Sequence, residues 1–142
     1  MTMNSLNAYL DLFRQIDSTD LSQAHSLVSN DYRFQDPFND FRGSEKLIRL
    51  LEQTRKDVRS PRFEILSIWE SPTEENRVVK WRFSGLAPVI GKMDFEGFSE
   101  ISLDPSGRIS AHVDYWDSGV YFYGRLPLLR LPMAWIRKRL SL

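Results

Sequence analysis

From Arg62 to Asp117 apolar residues recur at nearly every second position, and the pattern breaks only at short turn signals. Alternation of period two sends successive side chains to opposite faces of a strand, so this stretch reads as four strands with one apolar face each. The runs are RFEILSIWE (62–70), NRVVKWRFSGL (76–86), KMDFEGFSEISL (92–103) and RISAHVDYWD (108–117). SPTEEN and DPSG between them are rich in turn-forming residues. Strands this close in sequence join as an antiparallel meander. The second run places Val79, Trp81 and Phe83 on one face and Lys80 and Arg82 on the other. The third places Phe95, Gly97, Ser99 and Ile101 on one face and Asp94, Glu96 and Glu100 on the other. Lys80 and Arg82 are expected to pair with Glu96 and Glu100 across the outer face.

The period upstream is helical. Leu6, Tyr9, Leu10, Phe13 and Ile16 share one helix face, and Leu21, Ala24, Leu27 and Val28 form a second stripe after the break and cap DSTD. NDYRFQDP then alternates as a short strand, with Tyr32, Phe34 and Asp36 on one face, and Pro37 ends its pairing. Ser44 is a candidate N-cap for a third helix carrying Leu47, Leu50, Leu51 and Val58, with Arg55 and Lys56 in its last turns. Helices followed by a run of strands make an α+β domain over residues 1–124.

Composition narrows the chemistry. Hydrophobic residues make up 42% and aromatic residues 13% of the 142, which argues for a packed core. Nineteen basic and nineteen acidic residues cancel, so no nucleic-acid partner is expected. The chain has no cysteine, which excludes disulfides, thiol nucleophiles and cysteine-ligated zinc. The opening residues do not read as a secretory leader, and no apolar run is long enough to span a bilayer, so a cytoplasmic protein is expected.

Two stretches carry a family resemblance. SNDYRFQDPF resembles the ketosteroid isomerase segment that ends in Asp-Pro. LDPSGRISAHVDYW resembles the isomerase hairpin whose turn ends Gly-Arg-Ile and whose next strand ends in a pocket tryptophan. With the element order, these make the chain similar to the nuclear transport factor two-like superfamily, which includes ketosteroid isomerase and the SnoaL-like polyketide cyclases. The run DYWDSGVYFYGRLPLLRLPMAWIRKRL further resembles an uncharacterised bacterial subgroup of SnoaL-like proteins. The resemblance implies a curved antiparallel sheet forming a cone around the N-terminal helices, with a conical apolar cavity. On the strand from Arg108, Val113 and Tyr115 would face outward, where a partner copy or the C-terminal tail could cover them, so a homodimer is expected.

The same resemblance puts Asp36 at the general-base position. Ser99 falls at or near the strand position where the isomerase carries an oxyanion-hole Asp. The helix Tyr position falls near Leu12, with Tyr9 about one turn away. These departures argue against steroid isomerisation as such. The tryptophan match turns Trp116 inward, and alternation carries His112 and Asp114 with it. Asp36, His112 and Asp114 are thus the candidate catalytic groups. Phe34, Val79, Trp81, Phe83, Phe95, Ser99 and Trp116 are the candidate ligand-binding wall.

A carboxylate desolvated in such a pocket becomes a better base near neutral pH, and a histidine beside it can donate or relay a proton. That suits isomerisation, cyclisation or dehydration of a small hydrophobic ligand, with no cofactor. The competing readings stay open: Asp36 as a turn-forming acceptor for loop amides, and a cavity that holds its ligand without turnover. No metal site is expected, and His25 is read as a solvated helix residue.

Residues 125–142 stand apart. From Ser118 to Leu142 there are five basic residues and no acidic one, beside the apolar Leu128, Leu131, Trp135 and Ile136. Pro132 suits a helix start. This amphipathic tail is expected either to pack on or beside the domain as a lid or dimer arm, or to contact an anionic membrane or an acidic protein.

Overall fold

The computed structural model describes residues 2–142, with side-chain surroundings from residue 5 onward. Helix α1 (Thr2–Arg14) buries Leu6, Tyr9, Leu10, Leu12 and Phe13, the stripe that its 3.6-residue period brings to one side. A short 3-10 turn (Leu21–Gln23), capped by the Asp20 side chain, leads into helix α2 (Ala24–Leu27). Strand β1 (Val28–Gln35) starts at once, so Val28 belongs to the sheet and not to the helical stripe expected of it. β-branched Val28 extends the strand as readily as the helix, and sheet pairing with Ile109 decides between them.

Strand β2 (Asp40–Arg42) folds back on β1, and α3 (Ser44–Asp57) follows. Gly43 takes the N-cap position expected of Ser44, because the chain passes from β2 into α3 through a φ of 93°, which glycine adopts without strain. The Ser44 hydroxyl instead meets His25 Nδ1 at 2.7 Å. Arg55 spends its guanidinium on the carbonyls of Ile16 and Thr19, tying α3 to the end of the first helical segment.

The four long strands are β3 (Arg59–Glu70), β4 (Asn76–Ala87), β5 (Gly91–Leu103) and β6 (Ile109–Tyr115). They pair antiparallel in sequence order. β1 then joins β6 in parallel, giving a six-stranded sheet of order β2-β1-β6-β5-β4-β3. The sheet is curved and does not close. Register shifts between Ile65 and Ser67 and between Ser102 and Leu103 are the kind of irregularity that bends strands. Its inner face carries Val79, Trp81, Phe83, Phe95 and Ile101, all buried. On the outer face Lys80 pairs with Glu96 at 3.2 Å, as expected, but Arg82 grips Asp94 through both carboxylate oxygens at 2.7 Å instead of Glu100. The register explains the difference: Ser84 faces Asp94, so Arg82 reaches Asp94 on the diagonal, whereas Glu100 lies opposite Val78.

After β6 the chain makes a single turn of helix, α4 (Ser118–Tyr121), and a 3-10 turn (Tyr123–Arg125). Arg125 fastens this segment to the domain by donating to the Ile90 carbonyl at 2.8 Å. Helix α5 (Arg130–Leu140) follows, and every residue from 127 to 142 is exposed except the half-buried Met133. No described helix is long and apolar enough to cross a membrane.

Candidate active site

Strand β6 alternates as its sequence requires. His112 is buried, at 3% exposure, while the neighbouring Tyr115 points outward at 59%. The His112 ring packs between Phe13 of α1 and Phe34 of β1, with centroids at 5.4 and 4.8 Å. Both ring nitrogens are engaged. Nδ1 lies 2.6 Å from the Tyr9 hydroxyl, and Nε2 lies 2.6 Å from Asp114 Oδ1. Tyr9 in turn meets the Tyr32 hydroxyl at 2.7 Å. On the far side of Asp114 Oδ1, the Ser99 hydroxyl donates to it and accepts from Trp81 Nε1 at 2.8 Å.

Donor counting limits where the protons in this chain can sit. Burial, the neighbouring Tyr32 and the Asp114 charge push the Tyr9 phenol well above its ordinary pKa. Burial is also the main cause that raises Tyr32. Both phenols therefore keep their protons across the physiological range. One arrangement that satisfies every member has Tyr32 donating to Tyr9, Tyr9 donating to Nδ1, and Nε2–H donating to Asp114. Five residues from α1, β1, β4, β5 and β6 thus back a single carboxylate, and Oδ2 of that carboxylate takes no hydrogen bond among the described residues.

Asp114 lines a cavity of about 440 Å³ between the sheet and α3. Of the residues expected to form its wall, Trp81, Phe83, Phe95 and Trp116 do so, joined by Phe63, Val58, Ile90, Met93 and Phe122. Phe95 stacks on Trp116 at 4.6 Å and on Tyr121 at 5.2 Å, so the segment after β6 closes one side. Phe38 crosses the rings of Trp116 and Phe122 at the rim. Three expected wall residues lie elsewhere. Phe34 stands behind His112 in the core. Val79 and Ser99 face a separate void of about 20 Å³. Their alternation does point inward, but α1 covers that end of the sheet, as the contacts of Leu10 and Phe13 show.

Asp36 also reaches the cavity, but its carboxylate is spent locally. Oδ1 accepts from the amides of Phe38 and Asn39 at 2.8 and 2.7 Å, and the Asn39 side chain donates to both oxygens. This is the turn-forming arrangement that an Asp-Pro start favours. Partial burial outweighs those donors and, with the Asp114 charge, raises the Asp36 pKa above its ordinary value. Asp36 and Asp114 also share a depression of about 670 Å³ at the ends of β1 and β6.

Tyr9 and Tyr32 join the network without a motif to announce them. The signal in the sequence is that a tyrosine on a core-facing stripe, as Tyr9 is among Leu6, Leu10 and Phe13, brings a hydroxyl that must find a partner when buried.

No curated protein matches the chain. Solved structures share its fold at low identity. An NTF2-like protein of unknown function from Exiguobacterium sp. 255-15 has a TM-score of 0.68 at 17% identity, covering 80% of this chain and 98% of that one. An LEH-like epoxide hydrolase from M. tuberculosis has a TM-score of 0.67 at 18% identity, covering 96% of each chain. A protein described as a SnoaL-like polyketide cyclase from Jannaschia sp. CCS1 has a TM-score of 0.72 at 13% identity, covering 88% of this chain and 93% of that one. Residues 8–112, from α1 to His112, match the model of the uncharacterized conserved protein family DUF2358. The chain therefore belongs to the DUF2358 family and has the NTF2-like fold that the ketosteroid isomerase-like and SnoaL-like structures share.

Proposed function

We propose that the chain binds a small apolar molecule in the cavity beside Asp114 and moves a proton on it without a cofactor. Asp114 accepts the proton on Oδ2. His112 holds Oδ1 through Nε2–H and is itself held in that tautomer by Tyr9. The observation that carries this reading is the carboxylate of Asp114, placed on an apolar cavity wall with a complete donor chain behind it. A carbon acid next to a carbonyl would lose its proton to Asp114. Return of that proton at another carbon is isomerisation. Attack of the enolate on a second carbonyl, with the proton passed to the new alkoxide, is aldol-type cyclisation. Loss of a β-hydroxyl that takes the proton and leaves as water is dehydration. The polyketide cyclase and epoxide hydrolase descriptions of fold relatives are compatible with small-molecule chemistry in such a cavity.

Asp36 is assigned a structural part, locking the turn that carries Phe38 to the rim. This differs from the general-base role that the isomerase resemblance implies, and the reason is the hydrogen bonding of both its oxygens. That occupancy also favours a second reading, in which the cavity holds its ligand without turnover. A homodimer through the outer sheet face is part of the proposal, because Trp69, Phe98 and Tyr115 are exposed there.

Mass spectrometry of the molecule extracted from purified protein identifies the ligand. Asp114→Asn keeps the shape of the side chain and removes the base. Turnover of that molecule should fall at least about a hundredfold, since a positioned base contributes about 10²–10⁴, with binding retained. Equal turnover by wild type and variant would remove Asp114 from the mechanism. Binding without turnover by either would establish the second reading.

A further inference from the structure

Beyond Leu126, which packs against the core, residues 127 to 142 are exposed apart from the half-buried Met133. Leu128 is 89%, Leu131 73%, Trp135 66% and Leu140 80% exposed. Arg130, Arg137, Lys138 and Arg139 are exposed too, and none has an ion-pair partner among the described residues. Arg125 is bonded to the domain, so these four are the cations of this stretch without a bonded partner among the described residues. With about 100° between successive residues, Arg130, Ala134, Arg137 and Lys138 fall on one arc of α5. Leu131, Trp135, Ile136 and Leu140 fall on the remainder, with Arg139 set among them.

We propose that this segment docks the protein on an anionic lipid surface, with α5 lying in the plane of the interface. Three features favour that occupant. The segment carries only positive charge, the sign that anionic headgroups attract. Its leucines, Trp135 and Ile136 spread over about half of the helix circumference, with Arg139 in their midst. A fluid interface accepts such a distribution, whereas the fixed surface of an acidic protein would meet the cations and leave leucines in water. Trp135 and the long arginine stems suit the boundary, where an apolar body sinks and a polar end stays wet. At 11 residues, α5 is about 16 Å long, too short to span a bilayer and long enough to lie on one. A second copy of this chain is a poorer occupant, because pairing two such helices would bring like charges together.

Flotation of the intact chain on vesicles of equal parts phosphatidylcholine and phosphatidylserine tests this, with pure phosphatidylcholine as the neutral arm. One variant combines Arg137→Ser, Lys138→Ser and Arg139→Ser. Another combines Leu131→Ser and Trp135→Ser. Far-ultraviolet circular dichroism and the unfolding midpoint check that both remain folded. Wild type should float with the anionic vesicles about tenfold or more better than with neutral ones, and each variant should lose about tenfold or more. The inference is overturned if wild type stays with the soluble fraction, or if both variants float as wild type does. It is equally overturned if Leu131→Ser with Trp135→Ser breaks a dimer in size-exclusion chromatography while flotation is unchanged.

Discussion

The Tyr9 hydroxyl lies 2.6 Å from His112 Nδ1 and so joins α1 to β6 across the core. Because Tyr32 stands 2.7 Å further on, one hydroxyl serves two buried partners. Tyr9→Phe keeps the ring and leaves both partners unsatisfied. It should cost about 1–3 kcal/mol for each unpaired group. Tyr32→Phe removes only the end of the chain and should cost less. Urea unfolding of the two variants measures the difference, and equal midpoints would contradict the central place of Tyr9 in the network.

Asp36 should show a pH dependence opposite in sign to the exposed carboxylates. Partial burial raises its pKa, whereas the Arg33 side chain lowers that of Asp40. The folded protein therefore keeps the Asp36 proton at pH values where the unfolded chain, with a pKa of about 3.9, has released it. Its contribution to stability is fully present below that unfolded value and is lost as pH rises through the higher folded value. Asp36→Asn should thus gain on wild type over the interval just above pH ~4. Carbon NMR titration of the two carboxyls checks the cause: Asp36 must titrate above Asp40.

Gly97 faces Trp81 in the β4–β5 register, and a Cβ there would lie 2.4 Å from the indole Cη2 and 3.0 Å from the Tyr115 carbonyl oxygen. Gly97→Ala must push the Trp81 ring toward the cavity or lift β5 from β6. Either movement should cost about 1–3 kcal/mol, as overpacking does. It should also disturb the Trp81–Ser99 hydrogen bond. Thermal unfolding, together with binding of anilinonaphthalene sulfonate, reads both effects. A variant as stable as wild type, with unchanged dye affinity, would show that Trp81 has room to move.

Phe38 is half exposed, yet its ring covers those of Trp116 and Phe122 at 5.6 and 4.8 Å. Phe38→Ala should open the rim. Stopped-flow release of a bound apolar dye should become faster, while the unfolding midpoint moves little compared with Tyr9→Phe. An unchanged release rate would place the entrance elsewhere.

Much of this molecule could be read from periodicity. Four strands, two main helices and the shared face of His112, Asp114 and Trp116 follow from repeats of 2 and 3.6 residues, because those repeats are properties of the local backbone; that this face turns inward is what the tryptophan resemblance implies. The three-residue β2 does not show in periodicity because so short a strand has no alternation to detect. The Arg82–Asp94 pair was misassigned because a period says which face a side chain takes and not the register against its neighbour. The sequence alone also identified the cationic, acid-free segment after Ser118, since charge is a matter of composition. Tertiary structure decided which polar groups became partners. Tyr9 and His112 are 103 residues apart, and only the wrapping of the sheet around α1 brings them together. The same wrapping left Asp36 bound to its own turn and put Asp114 on the cavity wall. A buried hydrogen bond is settled by three-dimensional proximity, and residue type announces only that one will be needed.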